Sequence, residues 1–205
     1  MIRLLEELNR RLSEKNLYGE IIIVGGAALA LAFDARDSTR DIDCIFEPSP
    51  PIREIISDME KEYHLPKDWL NDGVKGFITK KMNFDVYSED SNLKVSTLDA
   101  EGLLAMKLTS ARTDTKDMQD SLFLMKKLKI KAESELFDII QKYTNPQMQT
   151  AKVKFFTMEA FAQHIQKEKL ADRPMEKNNP KSKKSYFTPN SKKPTSNKKS
   201  YYNDR

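Results

Sequence analysis

VGGAALALAFDARDSTRDIDCIF, residues 24–46, places Gly25-Gly26 at the head of an apolar segment and Asp41 and Asp43 near its far end. It overlaps EIIIV at 20–24, whose β-branched residues predict a strand. The glycines then open a helix from Gly26 to about Asp34, and DIDCIF at 41–46 returns as a second strand. Side chains alternate across a strand, so Asp41 and Asp43 share one face while Ile42, Cys44 and Phe46 share the other. Two carboxylates on one face form a hard, oxygen-rich site suited to Mg²⁺ or Mn²⁺. A glycine pair between strand and helix lets backbone N–H groups approach a phosphate, and the helix dipole favours its negative charge. Each signal alone has a plainer reading, a tight turn for the glycines and a solvated pair for the aspartates. Their order along the chain joins them: strand, glycine pair, helix, paired aspartates.

Outward from this stretch, MIRLLEELNRRLSEK predicts an amphipathic helix over 2–15. A helix at about 51–63 starts after PSPP and ends before Pro66. Residues 65–80 read as a loop with room for a short strand at GFIT, followed by strands at 82–87 and 93–95. Ser96-Thr97 reads as an N-cap, with Asp99 at capping-box distance from Ser96. Helices are then expected at about 98–110, 114–128, 133–144 and 157–169. The fold class is α+β, a small sheet with flanking helices followed by a helical C-terminal half. The expected organisation is a core over 1–97, a helical part packed on it over 98–171, and a disordered tail over 172–205.

The tail holds the charge. From Asp172 onward there are ten Lys/Arg against three Asp/Glu and no Leu, Ile or Val, so the net +4 of the chain divides into +7 there and −3 before it. Such a segment buries too little apolar surface to offset its ordering entropy. KKSYF at 183–187 and KKSYY at 198–202 set lysines beside aromatics, a chemistry that serves RNA phosphates and bases or simply solubilises. The single cysteine, Cys44, supports neither a disulfide framework nor a thiolate metal cluster and reads as core filler. The N-terminal segment lacks the apolar region of a signal peptide, and the run Ile21 to Phe33 is broken by glycine and too short to span a bilayer. A cytoplasmic protein with no membrane partner is expected. Trp69 reads either as a base-stacking surface or as cover for the core edge. His64 and His164 have no partner at ligand spacing.

NFDVY at 83–87 repeats the design of DIDCIF: Phe84 and Val86 are expected in the core and Asp85 on the opposite face. If the two strands pair, three carboxylates converge, and a divalent ion relieves their repulsion. Asp85 would then bind a second ion or accept the proton of an attacking hydroxyl.

IVGGAALALAF, RDSTRDID, LPKDWLNDGVKGF and LLAMKLTSARTDTKD together resemble, over about residues 1–145, the nucleotidyltransferase superfamily that includes DNA polymerase beta. The resemblance is closer to an uncharacterised bacterial nucleotidyltransferase-like family akin to the abortive-infection nucleotidyltransferase toxins of toxin–antitoxin systems. It implies a small mixed sheet, Gly25, Gly26 and Thr39 at the nucleotide, Asp41 and Asp43 as the metal pair, and Asp85 as the third carboxylate. Those toxins use a lysine on a later helix and an acidic residue on the next, which match Lys107 in AMKL and Asp117 in RTDTKD, with Asp120 one turn further on. Lys107 would neutralise triphosphate charge, and Asp117 or Asp120 would position Lys107 or Arg112. SARTDTKDMQD also reads as a salt-bridged, solvent-facing helix start. Arg36 lies five residues before Asp41, farther than the arginine of those toxins. The implied activity is transfer of a nucleotidyl group from an NTP, with Mg²⁺ or Mn²⁺, to an acceptor hydroxyl, RNA and especially tRNA by analogy with the toxins. A cognate antitoxin or other protein partner goes with it. The alternatives are a catalytically degenerate regulator or antitoxin of the same fold, and an RNA-binding adaptor driven by the tail.

Overall fold

The sheet grows on both sides of one strand, Gly19–Ile23, whose residues are alternately buried and more open to solvent. The computed structural model describes residues 1–35, 41–77, 79, 81–112 and 116–171. In chain order the elements are α1 (Ile2–Glu14), β1 (Gly19–Ile23), α2 (Gly25–Phe33), β2 (Ile42–Glu47), α3 (Ser49–Tyr63), β3 (Leu70–Asn71), β4 (Phe84–Glu89), β5 (Leu93–Leu98), α4 (Ala100–Ser110), α5 (Asp117–Leu128), α6 (Glu133–Tyr143) and α7 (Ala151–Ala171). The five-stranded sheet runs β3-β2-β1-β5-β4. It is mixed: β1 pairs antiparallel with β2 and parallel with β5, β2 pairs parallel with β3, and β4 pairs antiparallel with β5. Residues up to Asp172 form one compact unit.

One face of the sheet is covered by α1 and α3. Leu5, Leu8 and Leu12 form the buried stripe of α1, and Ile52, Ile55, Ile56 and Met59 that of α3. Their approach is close: a Cβ on Gly19 would lie 2.9 Å from Leu12 Cδ1 and 3.2 Å from Ile52 Cδ1. Prolines at the start of α3 suit a first turn, where an N–H has no helical partner. Helix α2 is built of glycine and apolar residues alone, and α4 buries Leu103, Leu104, Ala105 and Leu108 together with Lys107.

Several expectations are corrected. Phe84 and Val86 are exposed, not in the core, because β5 occupies the place beside β1 and leaves β4 on the outer edge. Helix α4 begins after Asp99, whose carboxylate accepts the Gly102 N–H at 2.7 Å, while Ser96 and Thr97 belong to β5. The short strand after Pro66 is Leu70–Asn71, and Lys75–Phe77 forms a 3₁₀ turn where the strand at GFIT was expected. Helix α7 starts at Ala151, six residues earlier than its pattern suggests. The tail over 172–205 lies outside the described residues.

Asp99 also accepts from the Tyr143 hydroxyl at 3.0 Å and the Asn83 amide at 3.3 Å, tying α6 and the approach to β4 to the start of α4. Asp99→Ala removes the cap and these bonds together. The expected loss is about 1–2 kcal/mol, seen as a lower urea midpoint with an unchanged slope.

Candidate functional site

The β1–β2 ladder ends with Ile23 opposite Cys44, and the Val24 N–H donates to the Asp43 carbonyl at 2.9 Å. That register starts α2 alongside Asp43. Gly25 has φ +63°, and a Cβ there would lie 3.3 Å from Asp43 Oδ2, so any other residue would be strained and pressed against the carboxylate. Val24, the N-cap, makes no side-chain capping bond, and the first turn of α2 contains no acid. The helix therefore presents backbone donors and a positive dipole end beside a carboxylate.

The residue beside Asp43 on β3 is Asn71. Its side-chain oxygen accepts the Gly73 N–H at 3.1 Å, which leaves its amide nitrogen to donate to Asp43 Oδ1 at 3.2 Å. The two bonds fix the orientation of the amide. Asp41 precedes β2 and is exposed.

Gly25, Gly26, Asp43, Asn71, Lys107 and Arg112 line one cavity of about 580 Å³. At its α4 side, Lys107 Nζ lies 2.8 Å from Asp117 Oδ1 and 2.9 Å from Asp120 Oδ2, all three side chains being nearly inaccessible. Arg112 Nε donates to the second Asp117 oxygen at 2.8 Å. Burial works against the charge on Asp117, but the contacts with Lys107 and Arg112 outweigh it and hold the carboxyl below its ordinary value. The segment SARTDTKDMQD, whose residues 113–115 lie outside the described set, is thus no solvated helix start at Asp117 and Asp120.

The cavity brings together Gly25, Gly26, Asp43 and Lys107, with Asp117 and Asp120 behind the lysine. It does not include Asp85. β4 and β2 are separated by β1 and β5, and the register Asp85, Thr97, Ile23, Cys44 puts Asp85 on the face opposite Asp43. The three carboxylates expected to converge do not, because β2 is flanked by β1 and β3 and not by β4, and the residue beside Asp43 on β3 is an amide. Arg36 and Thr39 lie outside the described residues. Trp69 is buried, covering the core edge, and burial, with Asp72 and Asp43 nearby, pushes the Cys44 thiol up. His164 is buried with Nε2 3.1 Å from the Ile130 carbonyl.

The oxygens of Asp41 and Asp43 suit a single Mg²⁺, which commonly takes one or two carboxylates and completes its shell with phosphate oxygens and water. No cluster of three or more acidic, histidine or cysteine side chains fit for a metal occurs among the described residues. Of the two aspartates, Asp43 lines the cavity, whereas Asp41, just before β2, is not among the lining residues.

A family model described as "Nucleotidyltransferase of unknown function (DUF6036)" matches residues 1–169. The chain belongs to this family. The match spans every described element except the last residues of α7, so the site lies wholly inside the family region. No curated protein and no solved structure matches the chain. Among the described residues no helix is long and apolar enough to cross a membrane.

Asn71 and Gly73 join the site without having been singled out, and Arg112, named only as a side chain that Asp117 or Asp120 would position, lines it too. β3 has only two residues, too few for a periodic pattern, and Asn-Asp-Gly reads as a turn.

Lys107→Met leaves Asp117 and Asp120 buried with one cation fewer, and a loss of about 3–5 kcal/mol is expected in urea unfolding. Because the folded pKa of Asp117 is depressed, its stabilisation is present above the ordinary value of about 3.9 and fades as pH falls through the lower folded value. Asp117→Asn should remove that part of the acid-side decline, read by circular dichroism along a pH titration.

Proposed function

We propose that the protein is a Mg²⁺-dependent nucleotidyltransferase that moves a nucleotidyl group from an NTP to a hydroxyl of an RNA acceptor. The observation that carries this reading is the start of α2 pressed against Asp43 inside a cavity that also holds cationic side chains. Backbone donors at Gly25-Gly26 meet phosphate oxygens, and the absence of side chains there lets the phosphate come close. Asp41 and Asp43 would hold Mg²⁺, which supplies neutralisation of triphosphate charge. Asn71 keeps the Asp43 carboxylate turned into the cavity through its amide donor. In the reaction the acceptor oxygen bonds to the α-phosphorus, the bond to the β-phosphate bridge breaks, pyrophosphate departs and the hydroxyl proton passes to water. RNA as acceptor follows from the likeness to the toxins and from the lysine-rich segment after Asp172.

A second reading keeps nucleotide binding and drops transfer: a degenerate member that serves as a regulator or as the partner of another protein. The amide of Asn71, standing beside Asp43 where a carboxylate base would be placed, favours it.

Incubation with each labelled NTP, Mg²⁺ and a panel of tRNA, other RNA and proteins separates the two. Transfer to RNA that falls on the order of 10²-fold in Asp43→Asn supports the enzyme. Mg²⁺-dependent binding of NTP with no labelled acceptor supports the binder. Gly25→Ala, strained at φ +63°, is expected to weaken NTP binding in either case, measured by equilibrium dialysis.

A further inference from the structure

The likeness to the toxins makes Lys107 the cation of the triphosphate, but its surroundings argue otherwise. Its ammonium lies between Asp117 and Asp120 at 2.8 and 2.9 Å, and its side chain is only 8% exposed. Two carboxylates already outnumber that single charge, and drawing it out to a phosphate would strand both in a buried setting. Arg112 is likewise paired with Asp117, but it is placed toward the cavity and open to solvent. Its side chain is 62% exposed, it lines the same cavity as Gly25, Gly26 and Asp43, and its Nε is held by Asp117 Oδ2 at 2.8 Å. The backbone places it there: α4 stops at Ala111, a non-glycine residue in the left-handed region at φ 46°, and the next residue is Arg112. Ser110 and Thr109 hydroxyls bond back to carbonyls of the last turn, at 2.9 Å to Met106 and 2.7 Å to Ala105.

We propose that Arg112 is the residue that takes the phosphate chain, and that Lys107 is a positioning residue that acts on it through Asp117. The four groups then have distinct tasks. Lys107 neutralises Asp120 and one oxygen of Asp117, the other Asp117 oxygen steadies the guanidinium at Nε, and the planar fork of Arg112 meets phosphate oxygens. The ligand class follows: a nucleotide with at least two phosphates, long enough to run from the donors of α2 to Arg112. This inference rests on the nucleotide reading of the cavity.

The test is binding of the four nucleoside triphosphates and their monophosphates to the full chain with Mg²⁺, by equilibrium dialysis. In Arg112→Ala the affinity for the bound triphosphate should fall tenfold or more while the monophosphate changes little, with the thermal midpoint near that of wild type. Arg112→Lys should restore only a small part of the affinity, since an ammonium can reproduce neither the Nε contact nor the fork. Lys107→Met should lower the urea midpoint and, in the folded protein at low temperature, reduce the preference for triphosphate over monophosphate in part, by less than Arg112→Ala does, because Asp117 then holds the guanidinium less firmly. Triphosphate affinity unchanged in Arg112→Ala overturns the assignment and leaves the nucleotide reading standing. So does a preference lost in folded Lys107→Met but kept in Arg112→Ala. If wild type binds none of the triphosphates, the nucleotide reading and this inference fall together.

Discussion

The constraint on which the site depends is the contact between the start of α2 and Asp43. Antiparallel pairing of β1 with β2 brings the end of one strand to the start of the other, so the helix that follows β1 must begin next to Asp43. Glycine meets both the positive φ and the 3.3 Å approach at position 25 without strain. Once those are set, Asn71 reaches Asp43 from β3, and α4 closes the cavity with Lys107 at its wall. A shift of one residue in the β1–β2 register would turn Asp43 to the face covered by α1 and α3.

The electrostatics divide along the same line. On the α4 side the charges are buried and mutually satisfied: Lys107, Asp117 and Asp120 meet one another at hydrogen-bonding distance. Such a group is weak evidence for stability but strong evidence for a fixed geometry, because removing any partner leaves a charge stranded. Toward the cavity, Arg112 and the uncapped start of α2 offer positive potential, while Asp43 offers negative.

Much of this was legible in the sequence where a pattern was long enough to show its period. The α1 stripe, EIIIV and DIDCIF all have the elements expected of them, and Gly25, Gly26 and Asp43 meet as their order suggested. The failures have definite physical causes. NFDVY has the alternation of a half-buried strand, but periodicity does not say where in a sheet a strand lies, and β4 landed on the edge with Phe84 and Val86 exposed. Asp85 consequently lies on the wrong face and at the wrong edge to meet Asp43. LNDG looked like loop because its strand is two residues long and is defined by its pairing with β2 alone. For Lys107, Asp117 and Asp120 the resemblance suggested the pairing, while the residues alone left a solvated helix start open, because a charge-rich segment does not show which cation from another helix balances it.

The displacement of β4 bears on the chemistry as well as the fold. With the third strand position next to β2 held by Asn71, the neighbour of Asp43 is a hydrogen-bond donor and not a second like charge. A carboxylate there would press two negative groups together and require a cation to relieve them. The amide needs none, and its oxygen is already taken by the Gly73 N–H. Asp43 is thus oriented by a neutral neighbour, without a cation between like charges. What such a site lacks is a second anionic ligand on β3 to hold a second ion or take a proton. For the proposed transfer, positioning and charge neutralisation would supply what a carboxylate base would have, which places the demand on α2, Asp43 and the cationic wall of the cavity.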